Sequence, residues 1–149
     1  MEVSVRAVVI RGNKLLVMGR NNGGVKYVSL PGGTVEEGET NEQAVIREVK
    51  EETLIEIKNP RLIITEDEGE KADKQYMIYL CKYVKGEPEL DPASPEYMLN
   101  AQGNNLYTPY WLSVEDLPAS GLLPKQLKDL LANFIKNGFP STSVKLQLK

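Results

Sequence analysis

Apolar and polar positions alternate from the start of the chain. Val3, Val5, Ala7 and Val9 stand against Ser4, Arg6 and Val8, the two-residue period of a strand. Gly12-Asn13 is a tight-turn pair, and residues 15–18 return as the partner strand. Asn21-Asn22-Gly23-Gly24 predicts a loop, residues 26–30 a short strand, and Pro31-Gly32-Gly33 its stop. The period then lengthens. Thr40 with Gln43 three residues on is a capping-box pattern, and it predicts a helix ending near Thr53. Residues 55–57 and 62–65 are strand-like, residues 66–74 form a polar loop, and residues 75–84 have the β-propensity of a buried strand. Residues 86–105 carry three prolines and two glycines and are expected to be a long loop, with a last strand over 107–112. Leu127, Leu130, Leu131, Phe134 and Ile135 keep the spacing of one buried helical stripe, between Pro124 and Gly138. Residues 141–149 are polar and expected to fray. Mixed strands and helices with an opening hairpin predict an α/β fold on a mixed sheet, one domain over residues 1–140 followed by the tail.

Composition narrows the chemistry. The 149 residues include no histidine and one cysteine, Cys81. Histidine-based triads, histidine metal sites and an intrachain disulfide are therefore excluded. Catalysis must use carboxylates, Lys, Arg, Tyr, backbone groups or a hard cation bound by oxygen. A net charge of -3 argues against nucleic-acid binding, and no apolar run approaches a membrane span. Residues 1–6 lack the basic-then-apolar pattern of a signal peptide, so a cytoplasmic location is expected. Cys81 is expected to be a buried apolar residue.

The negative charge is concentrated. Glutamates 36, 37, 39, 42, 48, 51 and 52 face only Arg47 and Lys50 within residues 33–52, a local net of -5. At about 100° per residue, Glu48, Glu51 and Glu52 share an arc of roughly 100°. Val45, Val49 and Ile46 form the neighbouring stripe, expected to face the core. Such carboxylates repel one another, and a divalent cation would reverse that sign. A solvated acidic face is the competing explanation. The preceding loop favours a site: Gly32-Gly33 permits close backbone approach, Gly38 helps deliver Glu39, and Arg47 is placed to fork onto Glu39.

Gly33-x5-Glu39-x7-Arg47-Glu48-Val49-x-Glu51-Glu52 resembles the signature of the Nudix hydrolases, as do Leu30-Pro31-Gly32-Gly33 before it and Trp111-Leu112-Ser113-Val114-Glu115-Asp116-Leu117 later. The box covers residues 33–55, with Leu54 where the family has glycine. A leucine is strained by roughly 1–2 kcal/mol in the left-handed cap a glycine permits, so this helix end is expected to close differently. The resemblance implies an α/β/α sandwich. It also implies Mg²⁺- or Mn²⁺-dependent hydrolysis of a nucleoside diphosphate linked to another moiety, a nucleoside triphosphate or a small nucleotide derivative. Glu48, Glu51 and Glu52 would be metal ligands, joined by a carbonyl of Gly32 or Gly33. Glu39 and Arg47 would position them, and Glu48 or Glu52 would be the base, with Glu66, Glu68, Glu70 and Glu96 as later-loop candidates. Arg20 and Lys26 are candidate phosphate contacts. Tyr27, Tyr107, Tyr110 and Trp111 are candidate stacking residues, with ordinary surface or core roles as the alternative. The implied partner is a small nucleotide, with neither nucleic acid nor membrane; the oligomeric state, a homodimer included, stays open. Leu54 also motivates a second reading, a weak or inactive nucleotide-binding module.

Overall fold

The computed structural model describes residues 2–67, 69, 73–103 and 105–148. Candidates Glu68 and Glu70 lie outside them. Strands β1 (Glu2–Arg11), β2 (Lys14–Asn22), β3 (Val25–Ser29) and β4 (Gly32–Thr34) precede helix α1 (Asn41–Thr53). Strands β5 (Glu56–Asp67) and β6 (Lys74–Lys85), helix α2 (Pro95–Gln102), strand β7 (Asn105–Ser113), helix α3 (Lys125–Asn137) and strand β8 (Val144–Gln147) follow. The sheet runs β3-β2-β1-β6-β5-β8, with β4 added to β1 and β7 to β2. It is mixed: β1 pairs parallel with β6 and β5 parallel with β8, whereas the other pairs are antiparallel.

Helices cover both faces, which makes the sandwich. Val5, Ala7 and Val9 of β1 pack with Leu16 against Ala44, Val45 and Val49 of α1. Val8 points the other way, into a core with Leu15, Val17, Leu127, Leu131 and Phe134 of the α3 side. Burial on both faces explains why β1 is apolar almost throughout its second half.

Several expectations are corrected. Ile46 is 37% exposed, so the buried stripe of α1 is Val45 and Val49 without it. Residues 55–57 and 62–65 belong to one strand, whose register shifts against β6 absorb the interruption. The expected loop over 86–105 contains α2: the Ser94 hydroxyl accepts from the Tyr97 amide, Pro95 opens the helix and Gly103 closes it in the left-handed conformation. The polar tail contributes β8, with Val144 and Leu146 turned onto the α3-side core and Lys145 and Gln147 outward. Cys81 is buried as expected, and burial pushes its thiol up to about 12.

Candidate functional site

The site is built where the 32–39 loop meets α1. The expected capping box is present: the Thr40 hydroxyl accepts from the Gln43 amide at 3.1 Å and Gln43 Oε1 accepts from the Thr40 amide at 2.9 Å. One turn earlier, the Glu36 amide donates to Glu39 Oε1 at 3.0 Å, and Gly38 at φ 81° makes the tight reversal that delivers Glu39.

Arg47 ties the pieces together. Its Nε and Nη2 fork onto Glu39 at 2.7 and 3.0 Å. Its Nη2 also donates to the Thr34 carbonyl at 3.2 Å. Its Nη1 donates to Glu48 at 2.9 Å and to Glu51 at 3.3 Å. This bonding, with Glu39 the main partner, holds the guanidinium pKa above its ordinary value and the Glu39 carboxyl below its own.

Glu48 and Glu52 are held against the glycines. A methyl group on Gly33 would sit inside the Glu48 carboxylate, so glycine alone lets this acid lie on the loop. Glu52, 8% exposed, accepts from the Gly32 amide at 3.2 Å. Burial dominates both titrations. Glu48 is raised although Arg47 opposes it, and Glu52 is pushed up to about 8. The Glu96 charge, on α2, raises both further, whereas Arg6 lowers Glu52.

Gly32, Gly33, Glu39, Arg47, Glu48, Glu51 and Glu52 are therefore brought together. Among the described residues, no three acidic or thiol side chains converge into a ready metal cage. Arg47 draws Glu48 and Glu51 to itself, and Glu52 turns to the Gly32 amide. The Gly33 carbonyl accepts from Ser4 Oγ at 3.2 Å. The donor set is nonetheless all oxygen, and two of its acids are costly to ionise where they stand, which fits a hard divalent cation.

Other candidates fall elsewhere. Arg20 lies over the rings of Tyr107 (3.8 Å) and Tyr27 (5.4 Å) and donates to Asn105. With Lys26 and Tyr27 it lines a separate 410 Å³ pocket. Tyr110 packs on the α3-side core and Trp111 on the α1 side. Glu66 is buried and lines a 450 Å³ cavity with Arg6, Leu30, Tyr76, Leu123 and Lys125. Arg6 and Lys125 escaped sequence reasoning. For Arg6, a signal existed in a guanidinium set between apolar positions of a strand covered on both faces.

Leu54 adopts the left-handed conformation, φ 58° and ψ 15°, and its amide donates to Lys50 as a glycine's would. The helix end therefore closes in the usual way, contrary to expectation.

A mixed sheet between helices, with a glycine loop feeding an acid-rich helix, defines the class. The NUDIX domain model matches residues 1–137, and the chain belongs to the Nudix family. It is 50% identical over 52 residues to an ADP-ribose pyrophosphatase of Methanocaldococcus jannaschii, covering 34% of this chain and 31% of that protein. It is 33% identical over 133 residues to the NAD-capped RNA hydrolase NudC of Haemophilus influenzae, covering 83% and 45%. The chain thus spans less than half the length of these relatives. A NUDIX hydrolase structure from Nitrosomonas europaea superposes with TM-score 0.73 at 18% identity, over 98% of this chain and 78% of that one, a likeness of fold.

Proposed function

We propose that this protein hydrolyses the pyrophosphate bond of a nucleotide derivative, using Mg²⁺ or Mn²⁺ held between the glycine loop and α1. The observation that carries this reading is the pair of shielded carboxylates, Glu48 and Glu52, pressed on Gly33 and Gly32. Glu48, Glu51 and Glu52 would hold the ion. When bound, it supplies charge neutralisation for the diphosphate oxygens and acidifies a water.

The remaining work belongs to the chain. Arg47 and Glu39 fix the loop against the helix, so the acids keep one geometry. The carboxylate of Glu52, or that of Glu48, takes the proton from the attacking water; burial makes both more basic than an exposed glutamate. Glu96 is the third acceptor near the cluster. The 450 Å³ cavity beside Leu30, two residues from Gly32, takes the nucleoside part, with Arg6 and Lys125 at its polar side and Leu30, Tyr76 and Leu123 as apolar walls. The relatives' names, a pyrophosphatase and a hydrolase of NAD-capped RNA, support a nucleotide-derived substrate.

The test is a hydrolysis screen in Mg²⁺ over nucleoside triphosphates, nucleotide sugars, dinucleotides and ADP-ribose. Glu51→Gln and Glu52→Gln are expected to lower turnover by roughly a thousandfold with the fold intact by circular dichroism. Equal activity in wild type and both variants overturns the assignment.

A further inference from the structure

We propose that Ser4 is a positioning residue for the acid cluster: its hydroxyl, aimed by Arg6, fixes the Gly33 carbonyl and so holds the glycine loop against Glu48 and Glu52. This rests on the proposed hydrolase reading and deepens it.

Among the described residues of β1, Ser4 is the one buried polar side chain, 1% exposed. A hydroxyl so deeply buried is costly unless it is hydrogen-bonded. Ser4 Oγ donates to the Gly33 carbonyl at 3.2 Å and accepts from Arg6 Nη1 at 2.8 Å. Chemistry sets the direction of this relay. A guanidinium only donates, so Ser4 Oγ must accept from Arg6, and its single proton is left for Gly33. Arg6 is itself fixed: the same Nη1 donates to the Val5 carbonyl at 3.1 Å, and the guanidinium lies 5.1 Å from the centre of the Tyr76 ring.

The relay reaches the loop from β1, while the acids reach it from α1. In the β1 and β4 pairing, Ser4 stands opposite Thr34, Val5 opposite Gly33 and Arg6 opposite Gly32. A methyl on Gly32 would strike the Val5 carbonyl and one on Gly33 the Glu48 carboxylate, so the loop is clamped between strand and helix with no spare room. The Gly32 amide donates to Glu52 at 3.2 Å. A tilt of the Gly33 peptide is therefore passed on to both acids. The two flanks of the glycine pair are held separately. The Ala7 amide donates to the Pro31 carbonyl at 2.9 Å, and the Val35 amide to the Val3 carbonyl at 3.0 Å. These bonds pin the ends of the pairing, and the Ser4 hydroxyl pins the glycines between them, as an outer partner orients a ligand group.

Amide exchange followed by NMR in the metal-free protein tests this role. Ser4→Ala is expected to speed exchange of the Gly32 amide about tenfold and to leave Ala7 and Val35 within about twofold. A rise shared by all three amides, or by none, overturns the proposal, since the hydroxyl then serves strand pairing or nothing. Mn²⁺ titration read by electron paramagnetic resonance, without substrate, should show Ser4→Ala binding about tenfold more weakly and Ser4→Thr, which keeps the hydroxyl, restored to within about twofold. Where the extra methyl of threonine disturbs the fold, Ser4→Cys, a weak donor of similar size, should fall between. Unchanged Mn²⁺ affinity in Ser4→Ala overturns the proposal. In the hydrolysis screen Ser4→Ala should lower kcat about tenfold with little change in KM. Wild-type hydrolysis with an unaltered Ser4→Ala overturns the Ser4 role and leaves the hydrolase reading standing. Exchange and Mn²⁺ results as expected, with no hydrolysis by the wild type, keep the Ser4 role and overturn the hydrolase.

Discussion

A glutamate on a helix is ordinarily a solvated surface group, and Glu52 is not. Its carboxyl titrates near 8 in the folded chain and near the ordinary 4.5 when unfolded. The folded state therefore binds the extra proton between these values. The associated stability is fully present below about 4.5 and is lost as pH rises through about 8. In EDTA, calorimetry should show the melting temperature falling across that window, and Glu52→Gln should flatten the fall and melt at least about 4 °C higher at pH 8. A parallel fall in both proteins contradicts the burial argument. The adjacent glycines separate two kinds of constraint. A methyl at Gly33 meets the movable Glu48 side chain, whereas one at Gly32 meets the Val5 and Arg6 backbone. Gly33→Ala should cost roughly a hundredfold in kcat with little change in melting, and Gly32→Ala should fail to fold stably. Arg47 and Glu39 were legible as a pair because their spacing puts a fork beside a carboxylate. The burial of Glu52 was only half legible, because a helical wheel places it at a margin without saying what covers that margin.

At the scale of elements, the span of α1 and its start were readable. Its start is a capping box, and its acid spacing is local. Its end misled, because the strain of a left-handed leucine is local as well. The cost is about 1–2 kcal/mol, small enough for tertiary context to absorb. Gly86 packs directly over the Leu54 carbonyl, and Leu54 belongs to neither core. Leu54→Gly should therefore raise the melting temperature by about 2–4 °C and leave the acid cluster in place; a lower melting temperature would show that leucine packing outweighs the strain. α2 and β8 were missed for a common reason. Each is short and is stabilised by a distant partner, Asn100 on Tyr107 and Val144 beside Ile64. Ser94, Pro95 and Gly103 did carry start and stop signals, but proline density hid them.

Across the whole molecule, the tail closes the β5 edge of the sheet, with the Arg61 guanidinium also bonded to the Pro140 carbonyl at 2.6 Å. Removing residues 141–149 should expose that edge, lower the melting temperature by several degrees and increase self-association in light scattering, about as expected for an uncovered strand. An unchanged melt would make the tail dispensable. The chain by itself determined the alternation of β1 and β2, the amphipathic α3, the capped acidic helix and the glycine loop before it, because each depends on neighbours within a few turns or one hairpin. Only the tertiary structure decided that Arg6 lies close enough to lower Glu52 and that Glu96, on α2, raises both Glu48 and Glu52. Those juxtapositions come from strand order and from a segment crossing the end of α1. They join residues tens of positions apart, and no local period encodes them.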